Sequence, residues 1–214
     1  GIECVRIKAH VGDEVAIETL FGKVEDQFGR LDILVNNAGI TRHARDHSDL
    51  DALSRDDFLD TYAVNVAGPF LVMQACKPLM VKAFEQTGRA STVLNISSIA
   101  GVTGIGSSVA YAATKGALNT MTLSLARALA PAIRVNAICP GFIGTRWFKD
   151  EMGAEQYERL EASVARSTPL NAASGPDDIA DSAVFFLTDA SRHVTGETLL
   201  VDAGTHLGYA PLAA

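Results

Sequence analysis

Short apolar runs alternate with amphipathic patterns of helical period along the whole chain, and this alternation constrains the fold more than any other feature. Runs rich in Val, Ile and Leu predict strands at 4–9, 31–36, 92–97, 133–139 and 199–202. Parallel strands need a long crossover connection, which a helix usually supplies. Strands that alternate with helices therefore predict an α/β fold with a mainly parallel sheet.

The amphipathic segments between these runs carry residues that are typical of helix boundaries. Asp13 is the expected N-cap and Gly29 the expected stop of the first helix, and Pro176 is expected at the first position of the last helix. Helices are predicted at 13–28, 54–83, 109–129, 154–165 and 176–187, the second one bent at Pro69 and Pro78. Residues 142–175 form a long insertion before the last helix.

Length and composition are those of one soluble domain. The 214 residues are 48% hydrophobic and 20% charged, and we interpret residues 1–214 as a single domain with a sizeable core. The net charge of −7 argues against binding to nucleic acid or to an anionic membrane. No run approaches the ~18 apolar residues of a membrane span, and no signal-peptide pattern opens the chain. The three scattered cysteines favour reduced thiols in the cytoplasm.

Tyr111 and Lys115 lie four residues apart in the helix predicted at 109–129. This spacing puts both side chains on one helical face. A neighbouring ammonium favours the phenolate, so it could turn a Tyr, with an ordinary pKa near ~10, into a usable acid or base. By itself the spacing is common, and a surface contact between the two side chains explains it equally well.

Small and polar residues follow three of the predicted strands, as Asn-Ala-Gly at 37–39, Ser-Ser at 97–98 and Pro-Gly at 140–141. In an open α/β sheet, ligands bind outside the carboxyl ends of the strands. Small residues there let a flat ligand approach the backbone. Each segment alone is also a plausible turn, but together they predict one crevice beside Tyr111.

Motifs along the whole chain now identify a family resemblance. They are Asn36-Asn37-Ala38-Gly39, Asn65, Ser98, Tyr111 with Lys115, Pro140-Gly141 with Thr145, and Thr195-Gly196 with Val201-Asp202. In this order they resemble the short-chain dehydrogenases/reductases, in the branch that includes 3-oxoacyl-[acyl-carrier-protein] reductases and sugar and steroid alcohol dehydrogenases. The resemblance implies a Rossmann-type, doubly wound parallel sheet with helices on both faces. It also implies a homotetramer or homodimer that uses NAD or NADP to interconvert a ketone and a secondary alcohol.

The resemblance also implies residue roles. Tyr111 would exchange a proton with the substrate oxygen, and Ser98, 13 residues before it, would orient that oxygen. Lys115 would lower the pKa of Tyr111 and hold the nicotinamide ribose, and Asn65 would anchor a water that links Lys115 to solvent. The expected cofactor contacts are Val11, Asn37, Ala38, Gly39, Tyr111, Lys115, Pro140, Gly141, Ile143 and Thr145.

The chain departs from the family pattern at three places. No glycine-rich turn for a pyrophosphate precedes residues 1–9, which resemble the third strand of the family. We therefore expect that the sequence is a fragment without the first two strands, and that strand 31–36 is left as an unprotected edge. His10 replaces the usual Asp, which puts the adenine contact in doubt, and Ala203 replaces a frequent Gly.

Other candidate features have two interpretations each. His43, Asp46 and His47 suggest a metal site, but no further ligands have suitable spacing, so we expect a solvated loop and no metal. The apolar residues of the insertion are either local packing or a substrate lid at 142–170; they are Trp147, Phe148, Met152, Tyr157 and Leu160. His206 and Tyr209 could edge the pocket. The alternative function is a noncatalytic, truncated subunit that acts as a scaffold.

Overall fold

A computed structural model describes residues 4–44, 46–145, 150 and 152–208. The helices are α1 Glu14–Phe28, α2 Arg55–Tyr62, α3 Gly68–Thr87, α4 Ala100–Thr103, α5 Val109–Leu129, α6 Ala154–Ser167 and α7 Pro176–Leu187. A π-helical segment, Ala63–Ala67, joins α2 to α3, and short 3-10 turns lie at Leu50–Ala52, Asp189–Ser191 and Thr205–Leu207. The strands are β1 Ile33–Asn36, β2 Ser91–Ile96, β3 Ile133–Pro140 and β4 Thr198–Val201.

In the described part of the chain the strands form one parallel sheet in the order β1-β2-β3-β4. The register aligns Ile33 with Thr92 and Ser91 with Ile133, and Ala137 with Thr198. All carboxyl ends therefore lie at the same edge of the sheet. The expected parallel α/β architecture is confirmed.

Helices cover both faces of this sheet. Val93 and Leu94 are consecutive in β2 and both at most 1% exposed, because adjacent strand residues point to opposite faces and each face is packed. One core joins the sheet to α1, α3 and α5; its buried members include Ile17, Phe21, Val72, Met80, Val93, Ala126 and Val135. The other joins the sheet to α7, through Leu94, Ile138, Ile179 and Phe186. The doubly wound arrangement is confirmed.

One strand prediction is confirmed at the β1 edge and one is wrong. The segment 31–36 forms the expected edge strand, and its side chains are not buried, since Ile33 is 44% and Val35 43% exposed. Among the described strands, β1 has a neighbour only on the side of β2, so its outer edge faces solvent. The strand expected at 4–9 is not formed, because no described strand lies beside this segment to complete a ladder.

Helix boundaries agree with the capping residues. The Asp13 carboxylate accepts the N–H groups of Val15 and Ala16, and Gly29 ends α1 in the left-handed region with φ 66°. Pro176 begins α7 as expected. Ser108, which precedes α5, accepts the N–H of Tyr111 through its hydroxyl at 3.1 Å.

The helix predicted at 54–83 is continuous from Arg55 to Thr87 but contains the π-helical segment. In this segment the N–H of Gly68 donates to the carbonyl of Ala63, five residues earlier. Pro69 lies in the first turn of α3, and Pro78 lies inside α3. The irregular backbone therefore comes before the prolines, around Asn65.

The Arg55–Thr87 stretch is also the one candidate among the described residues that is long and apolar enough to cross a membrane. Half of its most apolar window is buried in the protein. Its buried side chains, such as Val72 and Met80, belong to the core between the sheet and α1, α3 and α5. Packing in this core accounts for its apolar composition.

Hydrogen bonds from a buried arginine connect α7 to the sheet. Arg134, on β3, donates to the Ser191 hydroxyl at 3.1 Å and to the carbonyls of Val194 and Phe186 at 3.0 and 3.1 Å. Its side chain replaces solvent at carbonyls near the end of α7, where the helix dipole favours a cation.

We expect Arg134→Leu to lower the free energy of unfolding by about 2 kcal/mol, because the three hydrogen bonds that the guanidinium donates are lost. Urea denaturation measures this as a lower midpoint at unchanged slope. Arg89→Ala is the control, since Arg89 forms an exposed ion pair with Asp189, and such pairs contribute little. Equal effects of the two substitutions would contradict the structural role of Arg134.

Candidate active site

A cleft of about 410 Å³ opens at the carboxyl ends of the strands. Loops that follow β1, β2 and β3 form its walls, together with the first turns of α5. Eight of the predicted site residues line it: Asn37, Gly39, Ser98, Tyr111, Lys115, Pro140, Gly141 and Ile143. The predicted crevice is therefore present, with most of its expected lining.

Tyr111 and Lys115 face this cleft from α5. The Lys115 Nζ lies 5.6 Å from the centre of the Tyr111 ring and donates to the carbonyl of Ile96 at 2.8 Å. Lys115 is only 4% exposed. Burial lowers its pKa to about 8, an effect that nearby Cys139 partly opposes.

The pKa of Tyr111 differs from the expectation. Burial raises it above the ordinary value, and a hydrogen bond with the Ser98 side chain opposes this only in part. The lowering of the Tyr111 pKa by Lys115, which the family resemblance implies, is therefore not the largest effect in the protein alone and stays a prediction. The cause is that desolvation of the phenolate outweighs the favourable groups around it.

Ser98, and not Ser97, is the serine that interacts with Tyr111. The Ser98 hydroxyl also accepts the N–H of Ala100 at 3.1 Å, at the start of α4. The Ser97 hydroxyl instead donates to the carbonyl of Lys115 at 3.1 Å. A side chain at Gly101 would lie only 2.7 Å from the N of Gly116, so this glycine allows α4 to pack directly on α5.

Asn65 lies behind the cleft, 1% exposed, in the π-helical segment. Its Oδ1 accepts the N–H of Ile40 at 2.8 Å, and its Nδ2 donates to the carbonyl of Ile40 at 2.9 Å and to Thr114 Oγ1 at 3.1 Å. A Cβ atom at Gly39 would lie 3.4 Å from Asn65 Oδ1 and 3.6 Å from Lys115 Nζ. The bare backbone of Gly39 thus keeps the space between Asn65 and Lys115 open.

The other three expected cofactor contacts do not line this cleft. Val11 and Ala38 line a smaller cavity of about 170 Å³ beside β1, and Asn37 lines both cavities. Thr145 lies outside the lining of both. Most of the expected cofactor contacts therefore lie together in the cleft, whereas Val11, Ala38 and Thr145 lie outside it.

His10 has a local partner. Its Nδ1 accepts the N–H of Gly12 at 3.1 Å. With Nδ1 as acceptor, a neutral imidazole carries its proton on Nε2 and offers a donor. The Asp of the family offers an acceptor to the adenine amino group, so His10 cannot make that contact in this state.

Sequence reasoning missed much of the outer rim, which two loops form. Residues 40–44 follow Gly39, and residues 104–107 precede Ser108; Ile40, Thr41, His43, Ile105, Gly106 and Ser107 all line the cleft. Hydrogen bonds join the two loops. The hydroxyls of Thr41 and Ser107 bond to each other, and the N–H of Ala44 donates to the carbonyl of Ser107 at 2.9 Å. Next to the first loop, His47 Nε2 lies 3.2 Å from the carbonyl of Gly106. The sequence signal that could have identified these loops is their position. One directly follows Gly39 at the end of β1, and the other directly precedes Ser108, which caps α5.

The suggested metal site and pocket edge have simpler explanations. Within the described residues, no group of three or more His, Cys, Asp or Glu side chains could hold a metal ion. His43 and His47 lie in a loop, where His43 is exposed at the cleft and His47 is half-buried, with its Nε2 3.2 Å from the carbonyl of Gly106. His206 Nδ1 lies 3.0 Å from the buried carboxylate of Asp202. Tyr209 lies outside the described residues.

The insertion contains α6, two residues longer at its end than expected. The Tyr157 hydroxyl donates to Glu161 at 3.0 Å and lies against Gly144, next to the cleft residue Ile143. Met152 and Leu160 are half-buried. Trp147 and Phe148 lie outside the described residues, so the choice between lid and local packing stays a prediction.

Comparisons with known proteins agree with the family resemblance. The family profile described as Enoyl-(Acyl carrier protein) reductase matches residues 1–206. A ketoacyl reductase of the granaticin polyketide synthase from Streptomyces violaceoruber is 37% identical over 205 residues, which cover 96% of this chain and 78% of that protein.

Solved structures show the same fold. A short-chain dehydrogenase/reductase from Burkholderia xenovorans has a TM-score of 0.86 at 38% identity, over 97% of this chain and 78% of that one. A gluconate 5-dehydrogenase from Burkholderia cenocepacia, in complex with NADP and tartrate, has a TM-score of 0.79 at 29% identity, over 93% of this chain and 74% of that one. With the family profile, the sequence motifs and the fold in agreement, this chain belongs to the short-chain dehydrogenase/reductase family of NAD(P)-dependent oxidoreductases.

Proposed function

We propose that this protein interconverts a ketone and a secondary alcohol, with Tyr111 as the proton donor or acceptor. The observation that carries the proposal is the meeting of Ser98, Tyr111 and Lys115 in one cleft at the carboxyl ends of the strands. Asn65, held behind them by Ile40 and Thr114, completes the proposed catalytic set.

The cleft fits the nicotinamide end of NAD or NADP. Gly39 and Gly141 present bare backbone to it, and Pro140 and Ile143 offer apolar surface for a flat ring. Lys115 and Asn37 would bind the ribose. When bound, the cofactor supplies or accepts the hydride.

Within this cleft the protein's own groups handle the oxygen and its proton. The hydroxyls of Ser98 and Tyr111 hydrogen-bond the substrate carbonyl and fix its orientation. As the carbonyl carbon gains a hydride, its oxygen takes the Tyr111 proton, which leaves a secondary alcohol and a tyrosinate. Because the pKa of Tyr111 is raised, its proton is present at neutral pH, which is the form that reduction of the carbonyl requires.

A route for the return of the proton runs between Asn65 and Lys115. Both side chains flank the same open point beside Gly39. Asn65 Oδ1 has two lone pairs, and Ile40 uses one of them. A water at this point could accept from Lys115 and donate to Asn65, in agreement with the role that the family resemblance implies.

Assembly and location belong to the same proposal. Apolar side chains on outer helical faces are exposed, with Phe70 at 46% on α3, Leu123 at 49% on α5 and Val184 at 58% on α7. Such surfaces support association with other copies as a homotetramer or homodimer. The protein would act in the cytoplasm on a small carbonyl or alcohol substrate.

The alternative is a noncatalytic scaffold subunit. One observation favours it: no described helix beside the cleft begins with a glycine-rich turn that could cradle a pyrophosphate. Cofactor binding separates the two functions.

Titration with NADH and NADPH, followed by nucleotide fluorescence, is expected to give a Kd of roughly 1–100 µM for at least one of them. Gly39→Val should weaken binding by at least about tenfold, since its side chain would fill the space between Asn65 and Lys115. Gly22→Ala is the control, because open space surrounds Gly22. The absence of binding by the unmodified protein would favour the scaffold.

Cofactor affinity should also depend on pH. Lys115 is an ammonium below its pKa of about 8 and neutral above it. As pH rises through this value the protein loses a charged donor, and the Kd of NADH should increase by about tenfold. In Lys115→Gln the Kd should be high and independent of pH; a flat profile in the unmodified protein would exclude this role for Lys115.

Substitution of the proposed acid gives the most specific kinetic test. Tyr111→Phe should lower kcat by about 10²–10⁴-fold, because the phenyl ring has no proton to transfer. The matched control is Tyr62→Phe, which alters a residue on α2 that is 40% exposed. Circular dichroism and NADH binding verify the fold of both variants, and full activity of Tyr111→Phe would overturn the assignment.

A further inference from the structure

We infer that the substrate is a small, uncharged ketone with an apolar substituent, and that the cleft discriminates against anionic and polyhydroxylated carbonyl compounds. This inference rests on the proposed reduction, in which a hydride and the Tyr111 proton convert the ketone to a secondary alcohol. It concerns the residues beyond the catalytic set.

Apolar side chains dominate the part of the cleft that the proposed catalytic and cofactor residues leave open. Ile40, Ile99, Ile105 and Phe142 line it. Ile105 is 77% exposed, although it belongs to this lining. A bound apolar substituent would cover this isoleucine and gain the free energy of its burial.

The polar groups in the same region are used within the protein. The Thr41 and Ser107 hydroxyls bond to each other, and the carbonyl of Ser107 accepts from Ala44. Among the described residues of the lining there is no Asp, Glu, Arg or Gln. Selective recognition of several hydroxyl groups requires placed polar partners, so this region is poorly suited to a sugar.

One described segment beside the cleft is acidic. The acidic segment, defined here as residues 46–60, contains six aspartates and one arginine. His47 attaches this segment to the cleft residue Gly106. On the preceding loop, Arg42 lies between Thr41 and His43, but Asp57 and Asp60 engage its guanidinium at 3.2 and 3.4 Å.

Hydrogen bonds stabilise two carboxylates of this acidic segment in their ionised form. Hydrogen bonds from Ser48 lower the pKa of Asp46, and hydrogen bonds from Ser54 lower the pKa of Asp57. The cation inside the cleft, Lys115, is buried and donates to a backbone carbonyl. An anionic substrate would therefore meet a repulsive rim, and the described lining holds no arginine, and no lysine other than Lys115, to compensate.

A matched substrate pair tests the charge argument. The protein with NADPH or NADH is assayed on ethyl acetoacetate and on acetoacetate, which present the same ketone with and without a carboxylate. We expect kcat/KM to be at least about tenfold higher for the ester at low salt. From about 20 mM to about 500 mM salt, the value for acetoacetate should rise while that for the ester stays constant.

Two sets of variants connect the result to the residues. The triple substitution Asp49→Asn, Asp51→Asn and Asp56→Asn should raise kcat/KM for acetoacetate about threefold or more and leave that for the ester unchanged. Ile105→Ser should raise the KM for the ester severalfold at constant kcat. Val102→Ser is its control, because Val102 is 51% exposed but outside the cleft lining.

The outcomes separate this inference from the proposed function. Reduction of acetoacetate as fast as its ester, or faster oxidation of gluconate or an aldohexose than of any simple secondary alcohol, would overturn the inference and leave the proposed reaction intact. Failure to turn over any carbonyl compound or alcohol, despite nucleotide binding, would overturn the proposed function itself.

Discussion

The buried amide of Asn65 joins the two elements on which the site depends. It holds the backbone of Ile40, directly after Gly39, and it also holds Thr114, next to Lys115 on α5. The π-helical segment directs Asn65 toward both, as a widened turn inside a helix often does at functional sites. Because every polar atom of this amide has a protein partner, the loop after β1 and the helix α5 keep a fixed separation. The cleft opens between them.

Burial, more than charge pairing, governs the proton chemistry of this cleft. It raises the pKa of Tyr111 and lowers the pKa of Lys115, so the neutral forms of both side chains are favoured. A protonated Tyr111 has the form that reduction requires. The hydrogen bond with Ser98 opposes this shift in part.

Local patterns made much of the fold and site predictable, because they act within a few residues. Helical spacing placed Tyr111 beside Lys115, and Asp13 and Gly29 bounded α1 as expected. What failed depends on neighbours that are distant in the chain. The segment 4–9 needs a pairing strand, and no described strand lies beside it. The direction of the Tyr111 pKa shift depends on how completely the surrounding residues exclude water from the ring.

The central claim is that Tyr111 is a buried, protonated acid in the protein without cofactor. Carbon NMR of protein labelled at tyrosine Cζ, with Tyr111 assigned by its loss in Tyr111→Phe, measures this directly. We expect the Tyr111 resonance to stay at its phenol position through neutral pH and to move only above about pH 10. A Tyr111 resonance that moves to the phenolate position below about pH 8 would contradict the account.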